Sequence, residues 1–155
     1  MIKQRNSLTG FTLIELLVAI SVIGFLITVS MVIFKQVRMS ARDAVRVENI
    51  ATIKKALAMY FNDSTTGYTL SSGECLSSTS TAGSVLKTAN VIVNVPVDPM
   101  WATTSPFPNV ENGFATGTAN FCYYYYSTST AQYKISYYLE TNSKFGNAGI
   151  NRTTQ

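Results

Sequence analysis

Residues 11–34 form an almost wholly apolar run, and this run constrains the fold more than any other feature of the 155-residue chain. Its polar residues are Thr12, Glu15, Ser21, Thr28 and Ser30. As an α-helix at roughly 1.5 Å per residue, the run would be about 36 Å long, and the hydrocarbon core of a bilayer is about 30 Å thick. We therefore expect residues 11–34 to form a helix that can span a membrane.

Three interpretations of this run compete. A secretory signal would have an apolar region of about 7–15 residues and then a small-residue cleavage site. The nearest such site, Ala19-Ile20-Ser21, lies inside the run. A plain membrane anchor explains the length, but neither interpretation explains Glu15. A carboxylate within a membrane span costs roughly 2.5–3.5 kcal/mol at mid-membrane and is therefore treated as functional.

In the third interpretation, the chain is cut after Gly10, and this cut gives Glu15 a partner. It would expose the α-amine of Phe11, one helical turn before Glu15 and on the same face. Such an amine has a pKa of about 7.7–8.0 and is largely protonated at neutral pH. In a bundle of these helices, Glu15 could instead pair with the Phe11 amine of a neighbouring copy. That exchange would set the axial register, because any other register leaves a charge unpaired in an apolar core.

The string Gly10-Phe11-Thr12-Leu13-Ile14-Glu15, after a short basic leader, resembles the class III signal of type IV prepilins and type II secretion pseudopilins. In that family, a prepilin peptidase cuts after the Gly and methylates the new amine. The resemblance therefore implies cleavage between Gly10 and Phe11 and N-methylation of Phe11. Many members have a Pro in the apolar run, whereas the first Pro here is Pro96. We expect either a continuous helix or a weak point at Gly24, Thr28 and Ser30.

Basic residues on both sides of the run leave its orientation undetermined by charge alone. The leader has Lys3, Arg5 and the amine of Met1, and a cytoplasmic leader is inferred from the resemblance only. The other side has basic residues spaced as one helix face: Lys35, Arg38, Arg42 and Arg46. We expect this face to contact lipid headgroups or acidic groups of neighbouring subunits, or to be solvated.

The chain is predicted to have an α+β, pilin-like fold. Its predicted parts are the cleaved leader at residues 1–10, the membrane or filament-core helix at 11–34, an amphipathic helix at 35–62 and a globular head at 63–155. The amphipathic part has an apolar stripe that should pack on a sheet: Val47, Ile50, Ile53, Leu57 and Tyr60 or Phe61. Asn62-Asp63-Ser64 and Gly67 should end the helix.

Within the head, a Tyr-rich pattern predicts an antiparallel hairpin of strands 121–126 and 132–140. Residues alternating along its second strand should pack on the helix stripe: Tyr133, Ile135, Tyr137 and Leu139. A surface that stacks a sugar or a base is the alternative for the tyrosines. We also predict a loop at 71–84, a helical turn at 85–89, a strand at 90–95 and a loop at 96–120.

Cys75 and Cys122 lack CxxC spacing, so zinc or thioredoxin-like chemistry is not indicated. In an exported protein they would form one disulfide, worth roughly 3–4 kcal/mol by loop entropy, and two unrelated buried thiols are the alternative. Residues 95–99 resemble the Pro-x-Asp-Pro turn of secretion pseudopilins, some of which bind calcium nearby. Asp98 and Glu111 are too few carboxylates for a calcium cage, so we predict a turn residue, no metal and no cofactor.

The chain has no His, and it shows no phosphate-binding loop and no nucleophile–base pair, so we do not expect an enzyme. Its net charge of +4 gives no firm indication of nucleic-acid binding. We predict a structural subunit of a type IV pilus-like surface filament, a homo-oligomer. It would enter the inner membrane as a precursor, meet a prepilin peptidase and an assembly platform, and end in an extracellular pilus. The alternatives are a pseudopilin of a secretion or DNA-uptake machine and a membrane-anchored extracellular binding module.

Overall fold

The structure is a computed structural model that describes residues 10–101, 109–111, 113–116 and 121–155. Leader residues 1–9 and much of the predicted 96–120 loop lie outside the described residues. The chain divides into two compact units, Met1–Arg38 and Met39–Gln155.

The first unit contains the start of helix α1, which runs from Leu13 to Asp63. An 18-residue window in α1 has a mean hydropathy of 2.8 and is not buried in the chain. Within the described residues, α1 is the one helix that is long and apolar enough to cross a membrane. This agrees with the predicted apolar helix and fits membrane insertion as a precursor.

No break interrupts α1 at the small and polar residues of the apolar run. The hydroxyl of Thr28 donates to the carbonyl of Phe25 at 2.7 Å, and that of Ser30 donates to the carbonyl of Leu26 at 2.8 Å. Each hydroxyl is therefore satisfied within the helix, and neither needs water or a neighbouring chain. Of the two alternatives, a continuous helix is the one observed.

The end of α1 agrees with the turn residues that follow it. The amide of Ser64 closes the last turn on the carbonyl of Tyr60 at 2.8 Å. The hydroxyl of Ser64 then accepts from the amide of Gly67 at 2.9 Å. Gly67 has a φ of 79°, which glycine adopts without the steric cost of a Cβ.

The second unit holds an antiparallel four-stranded sheet in the order β1-β4-β5-β6, together with a small two-stranded sheet and a second helix. The elements in chain order are β1 Ser71–Cys75, α2 Thr81–Thr88, β2 Asn109–Glu111, β3 Phe114–Thr116, β4 Tyr124–Ser129, β5 Gln132–Leu139 and β6 Gly149–Thr154. The predicted hairpin is confirmed as β4 and β5, although β4 continues to Ser129, into the predicted turn.

The core of the second unit confirms the predicted contact between the helix stripe and β5. Ile53 and Leu57 of α1 lie in one buried cluster with Tyr133 and Ile135 of β5. Other members of this cluster include Ile50, Ala56, Tyr68, Leu76, Tyr123 and Tyr125. Of the hairpin tyrosines, Tyr123, Tyr125 and Tyr133 are therefore part of the core and cannot stack a sugar or a base. Tyr126 and Tyr138 are partly exposed, and for them the stacking alternative stays untested.

Three loop and strand predictions were wrong. Residues 90–95 form no strand, although Val91, Ile92 and Val95 pack against the core, so the alternation reflects one-sided packing of an irregular segment. The 71–84 loop contains β1 and the start of α2, which is longer than the predicted helical turn. The 96–120 loop contains β2 and β3, and β6 was not predicted at all.

Glu74 links β1 to the start of α2. Its carboxylate accepts from the amides of Thr81 and Ala82, each at 2.7 Å. Ser80 caps the same helix by accepting from the amide of Gly83 at 3.2 Å. These contacts satisfy amides that have no partner inside the helix and place an anion at its positive end.

Candidate functional site

The predicted cleavage site lies immediately before α1. Gly10 and Phe11 precede the first helical residue, Leu13, and the side chain of Phe11 is 84% exposed. The peptide bond between Gly10 and Phe11 therefore lies in non-helical backbone.

Thr12 and Glu15 form reciprocal hydrogen bonds at the start of the helix. The backbone amide and the hydroxyl of Thr12 donate to Oε2 of Glu15 at 2.9 and 2.8 Å. In return, the amide of Glu15 donates to Oγ1 of Thr12 at 3.3 Å. The amide of Leu16 donates to the carbonyl of Thr12, also at 3.3 Å, and closes the first turn.

This arrangement is a capping box, in which a Thr and a Glu three residues later satisfy each other's backbone amides. The Thr-x-x-Glu spacing indicates this cap in the sequence, and the predicted charge pairing of Glu15 does not include it. In the uncut chain, the nitrogen of Phe11 belongs to a peptide bond and carries no charge. The pairing of Glu15 with a free Phe11 amine therefore stays a prediction.

The predicted basic face separates into two parts. Lys35 and Arg38 belong to the first unit and are exposed. Arg42 and Arg46 belong to the second unit, and both form ion pairs within the chain. The expectation that this face contacts lipid, neighbouring subunits or water was therefore wrong for Arg46, which is fully buried against acidic groups of the same chain. Arg42 pairs with Glu140 of the same chain, but its side chain is still 30% exposed.

Arg46 is fully buried and binds three carboxylates. Its Nε lies 2.7 Å from Oδ2 of Asp98, and its Nη1 lies 2.8 Å from Oδ1 of Asp43 and 2.6 Å from Oε1 of Glu140. We call these four residues, together with Arg42, the Arg46 centre. It joins α1, the 95–99 turn and the end of β5.

Further hydrogen bonds complete the Arg46 centre. Asp43 accepts from the amide and the hydroxyl of Thr141 at 2.8 and 2.7 Å. Asp98 accepts from the amide of Met100 at 2.8 Å, which confirms its predicted turn role, but its ion pair with Arg46 was not foreseen. Arg42 donates from Nε to Glu140 at 2.7 Å. Buried charges are tolerated when they are paired and hydrogen-bonded in this way.

These contacts favour the charged forms of Arg46, Asp43 and Glu140. The hydrogen bond from Arg42, together with the contacts from Arg46, lowers the pKa of Glu140 to about 2. Burial opposes ionisation of Asp43. Hydrogen bonds from the backbone amide of Glu140, from Thr141 and from Arg46 outweigh this effect and lower the pKa of Asp43. Burial also opposes the charge on Arg46, and the hydrogen bonds to Asp98 and Glu140 nevertheless raise its pKa. The centre therefore joins α1, the 95–99 turn and the end of β5 through paired charges.

Cys75 and Cys122 form the predicted disulfide, with their Cα atoms 5.5 Å apart. The bond ties the end of β1 to the segment just before β4. The side chain of Glu111, the other carboxylate considered for calcium, lies outside the described residues. Among the residues that the structure describes, no group of three or more His, Cys, Asp and Glu side chains is arranged to hold a metal ion.

Residues 5–34 match the family model of the prokaryotic N-terminal methylation motif. This motif is the class III prepilin signal of type IV pilins and pseudopilins. It implies processing by a prepilin peptidase and assembly into pilus-like polymers. The match ends within α1 and does not reach the head. No curated protein and no solved structure matches the chain.

Proposed function

We propose that this chain is a structural subunit of a type IV pilus-like surface filament. It enters the membrane as a prepilin, is cut after Gly10 and polymerises through residues 11–34 of α1. The observation that carries the proposal is the methylation motif at residues 5–34, of which residues 13–34 form the apolar part of an unbroken helix. The side chains of this part are exposed in the single chain, as a helix that packs among copies of itself or in lipid requires.

In this proposal, cleavage changes the partners available to Glu15. Before the cut, the carboxylate is held by Thr12, and afterwards the methylated amine of Phe11 becomes a second donor with a positive charge. In the filament, Glu15 of one copy pairs with the Phe11 amine of a neighbour. This pairing selects one axial register, because a slipped helix leaves both charges unpaired in an apolar surrounding.

The second unit provides a head that is suited to the outside of the cell. The disulfide between Cys75 and Cys122 is a bond that persists in oxidising compartments. The Arg46 centre fixes β5 and the 95–99 turn to α1 through ion pairs within the chain. Features of this kind support an exported head that surrounds the helical core of a filament.

A pseudopilin of a type II secretion or DNA-uptake machine is the second candidate. The resemblance of residues 95–99 to the Pro-x-Asp-Pro turn of secretion pseudopilins favours it. Both candidates share the cut, the methylation and the helical core. A pilus subunit forms long filaments that can be sheared from the cell surface, whereas a pseudopilin at its native level leaves the sheared fraction empty.

The role of Glu15 tests the proposed function in cells that carry a pilus assembly system. Wild type, Glu15→Ala and Ser21→Ala are compared for membrane insertion of the precursor and for sheared filaments, by immunoblotting and electron microscopy. We expect all three to insert, and only Glu15→Ala to lose filaments. Ser21→Ala is the matched control, because it also removes a polar group from the apolar run. Normal filaments from Glu15→Ala would contradict the charge-pairing role.

A further inference from the structure

We propose that Thr12 is a positioning residue for the cleavage. Through its capping box with Glu15, it fixes the start of α1 at Leu13 and keeps the Gly10–Phe11 bond in non-helical backbone, where a peptidase can reach it. This inference rests on the proposed function, because it presupposes that the bond is cut. Thr12 itself takes no part in the chemistry.

The hydrogen bonds at the helix start support this role. The first amides of a helix have no partner within the helix. Here the amide of Thr12 is satisfied by Glu15 at 2.9 Å, and the amide of Glu15 is satisfied by Thr12 at 3.3 Å. The helix begins at the residue after Thr12. Thr12 therefore lies between the first residue of α1 and the bond to be cut, which joins Gly10 to Phe11.

The sequence contains a competing helix start one turn upstream. Thr9 is the nearest upstream residue with a side chain that caps helices well. A helix that began there would include Gly10 and Phe11 in its first turn. The carbonyl of Gly10 would then accept the amide of Ile14, as in any α-helix.

A Gly10–Phe11 peptide bond that lies within a helix is poorly accessible to a peptidase. In hydrolysis, the oxygen of water bonds to the Gly10 carbonyl carbon, the C–N bond breaks, and the Phe11 nitrogen takes up a proton to become an amine. A carbonyl that is bonded to Ile14 and surrounded by the helix is less accessible to that attack.

Loss of the cap favours the upstream start. Without the Thr12 hydroxyl, the amide of Glu15 needs another acceptor, and an unsatisfied amide is expensive where water is scarce. Extending the helix by a turn supplies the carbonyl of Phe11 as that acceptor. The fraction of chains with an open cleavage site falls, and the apparent KM rises by the inverse of that fraction.

Substitutions separate the cap from the charge of Glu15. Thr12→Val keeps the shape of the side chain and removes the hydroxyl. Thr12→Ser restores a capping hydroxyl in a smaller side chain. Glu15→Gln removes the charge but keeps an acceptor that is suited to a capping box. Cleavage should follow the cap, whereas filament assembly should follow the charge.

The test uses the full-length precursor in liposomes with a purified prepilin peptidase. Initial rates are measured over a range of precursor concentrations, and the cut is identified by N-terminal mass analysis. For Thr12→Val we expect kcat/KM to fall about 2-fold to 30-fold, the range that loss of a helix cap implies, mainly through KM. Thr12→Ser and Glu15→Gln should stay within about 2-fold of wild type.

The outcomes distinguish this inference from the proposed function. If Thr12→Val is cut as fast as wild type, or if Thr12→Ser fails to restore the rate, the positioning role is wrong and the proposed function still stands. If the wild-type precursor is not cut between Gly10 and Phe11, the proposed function fails, and the role of Thr12 fails with it.

Discussion

The Nε atom of Arg46 lies 2.7 Å from Oδ2 of Asp98, a residue 52 positions later in the chain. This ion pair joins the middle of α1 to an irregular segment that has no strand of its own. Both side chains are almost completely buried, and Arg46 also reaches Asp43 and Glu140. A single guanidinium therefore organises three separate parts of the head, which makes its removal the sharpest test of how the head is held together.

Arg46→Met should lower the free energy of unfolding of the head by about 3–5 kcal/mol, because it leaves three carboxylates close together without their buried cation. The measurement is urea unfolding of the full chain in detergent, followed by near-UV circular dichroism. Arg42→Met is the graded control, since the Arg42 side chain is 30% exposed and its removal should cost about 1 kcal/mol or less. Equal losses for the two variants would contradict the central role of Arg46.

Acid should destabilise the head through Glu140. The pKa of Glu140 is lowered from 4.5 to about 2 in the folded chain, so the unfolded chain binds the proton first as the pH falls. The stability that Glu140 contributes is complete above pH 4.5 and is lost between there and about pH 2. Asp43, whose pKa is also lowered by its contacts, acts in the same direction.

The control for this acid response is Glu140→Gln. Thermal unfolding of both proteins is measured at intervals from neutral pH to about pH 2. We expect Glu140→Gln to be less stable at neutral pH and to show a flatter acid response. Parallel curves for the two proteins would rule out Glu140 as a main source of the acid sensitivity.

Removal of the disulfide should destabilise the head without changing its fold. Cys75 and Cys122 are 47 positions apart, and closing a loop of that length is worth about 4 kcal/mol in the chain-entropy model. The double variant Cys75→Ser/Cys122→Ser should lose roughly that amount in chemical unfolding. Reduced wild type should unfold at the same denaturant concentration as the variant. If the variant unfolds at the same denaturant concentration as oxidised wild type, the disulfide adds little stability.

Substitution by Ala should cost different amounts of stability at two glycines with positive φ. Gly73 has a φ of 121°, and a Cβ there would lie 1.7 Å from the hydroxyl of Tyr124. Gly149 has a φ of 111° and no heavy atom within 4 Å of the Cβ position. Gly149→Ala should cost about 1–2 kcal/mol from backbone strain alone, and Gly73→Ala about 1–3 kcal/mol more. Similar thermal midpoints for the two variants would argue against close packing of Tyr124 on β1.

The parts that could be predicted from the sequence were those with a regular period. The apolar run and the stripe through Ile50, Ile53 and Leu57 predicted α1 to within a residue of its end at Asp63. The Tyr-rich pattern predicted the hairpin, and the alternation along residues 133–139 placed Tyr133 and Ile135 on the face that packs on α1. In both cases local periodicity and long-range packing favour the same structure.

Most of the predictions that were wrong concern structure that depends on contacts between residues distant in the sequence. Spacing alone placed Arg46 on a basic face, because two of its three carboxylate partners, Asp98 and Glu140, are distant in the sequence. The Gly- and Asn-containing β6 has weak strand propensity and forms by pairing with β5. At residues 90–95, apolar alternation came from packing on the core and not from pairing with a strand. The Thr12–Glu15 cap was local and could have been recognised from its spacing.

The most direct test of the proposed function is the mass and sequence of the N-terminus of the chain recovered from cells with a prepilin peptidase. We predict that the mature chain begins at Phe11 and carries one methyl group on its α-nitrogen. Filaments purified by shearing should contain this form alone. A membrane-inserted chain that still begins at Met1 in the presence of the active peptidase would contradict the proposed function.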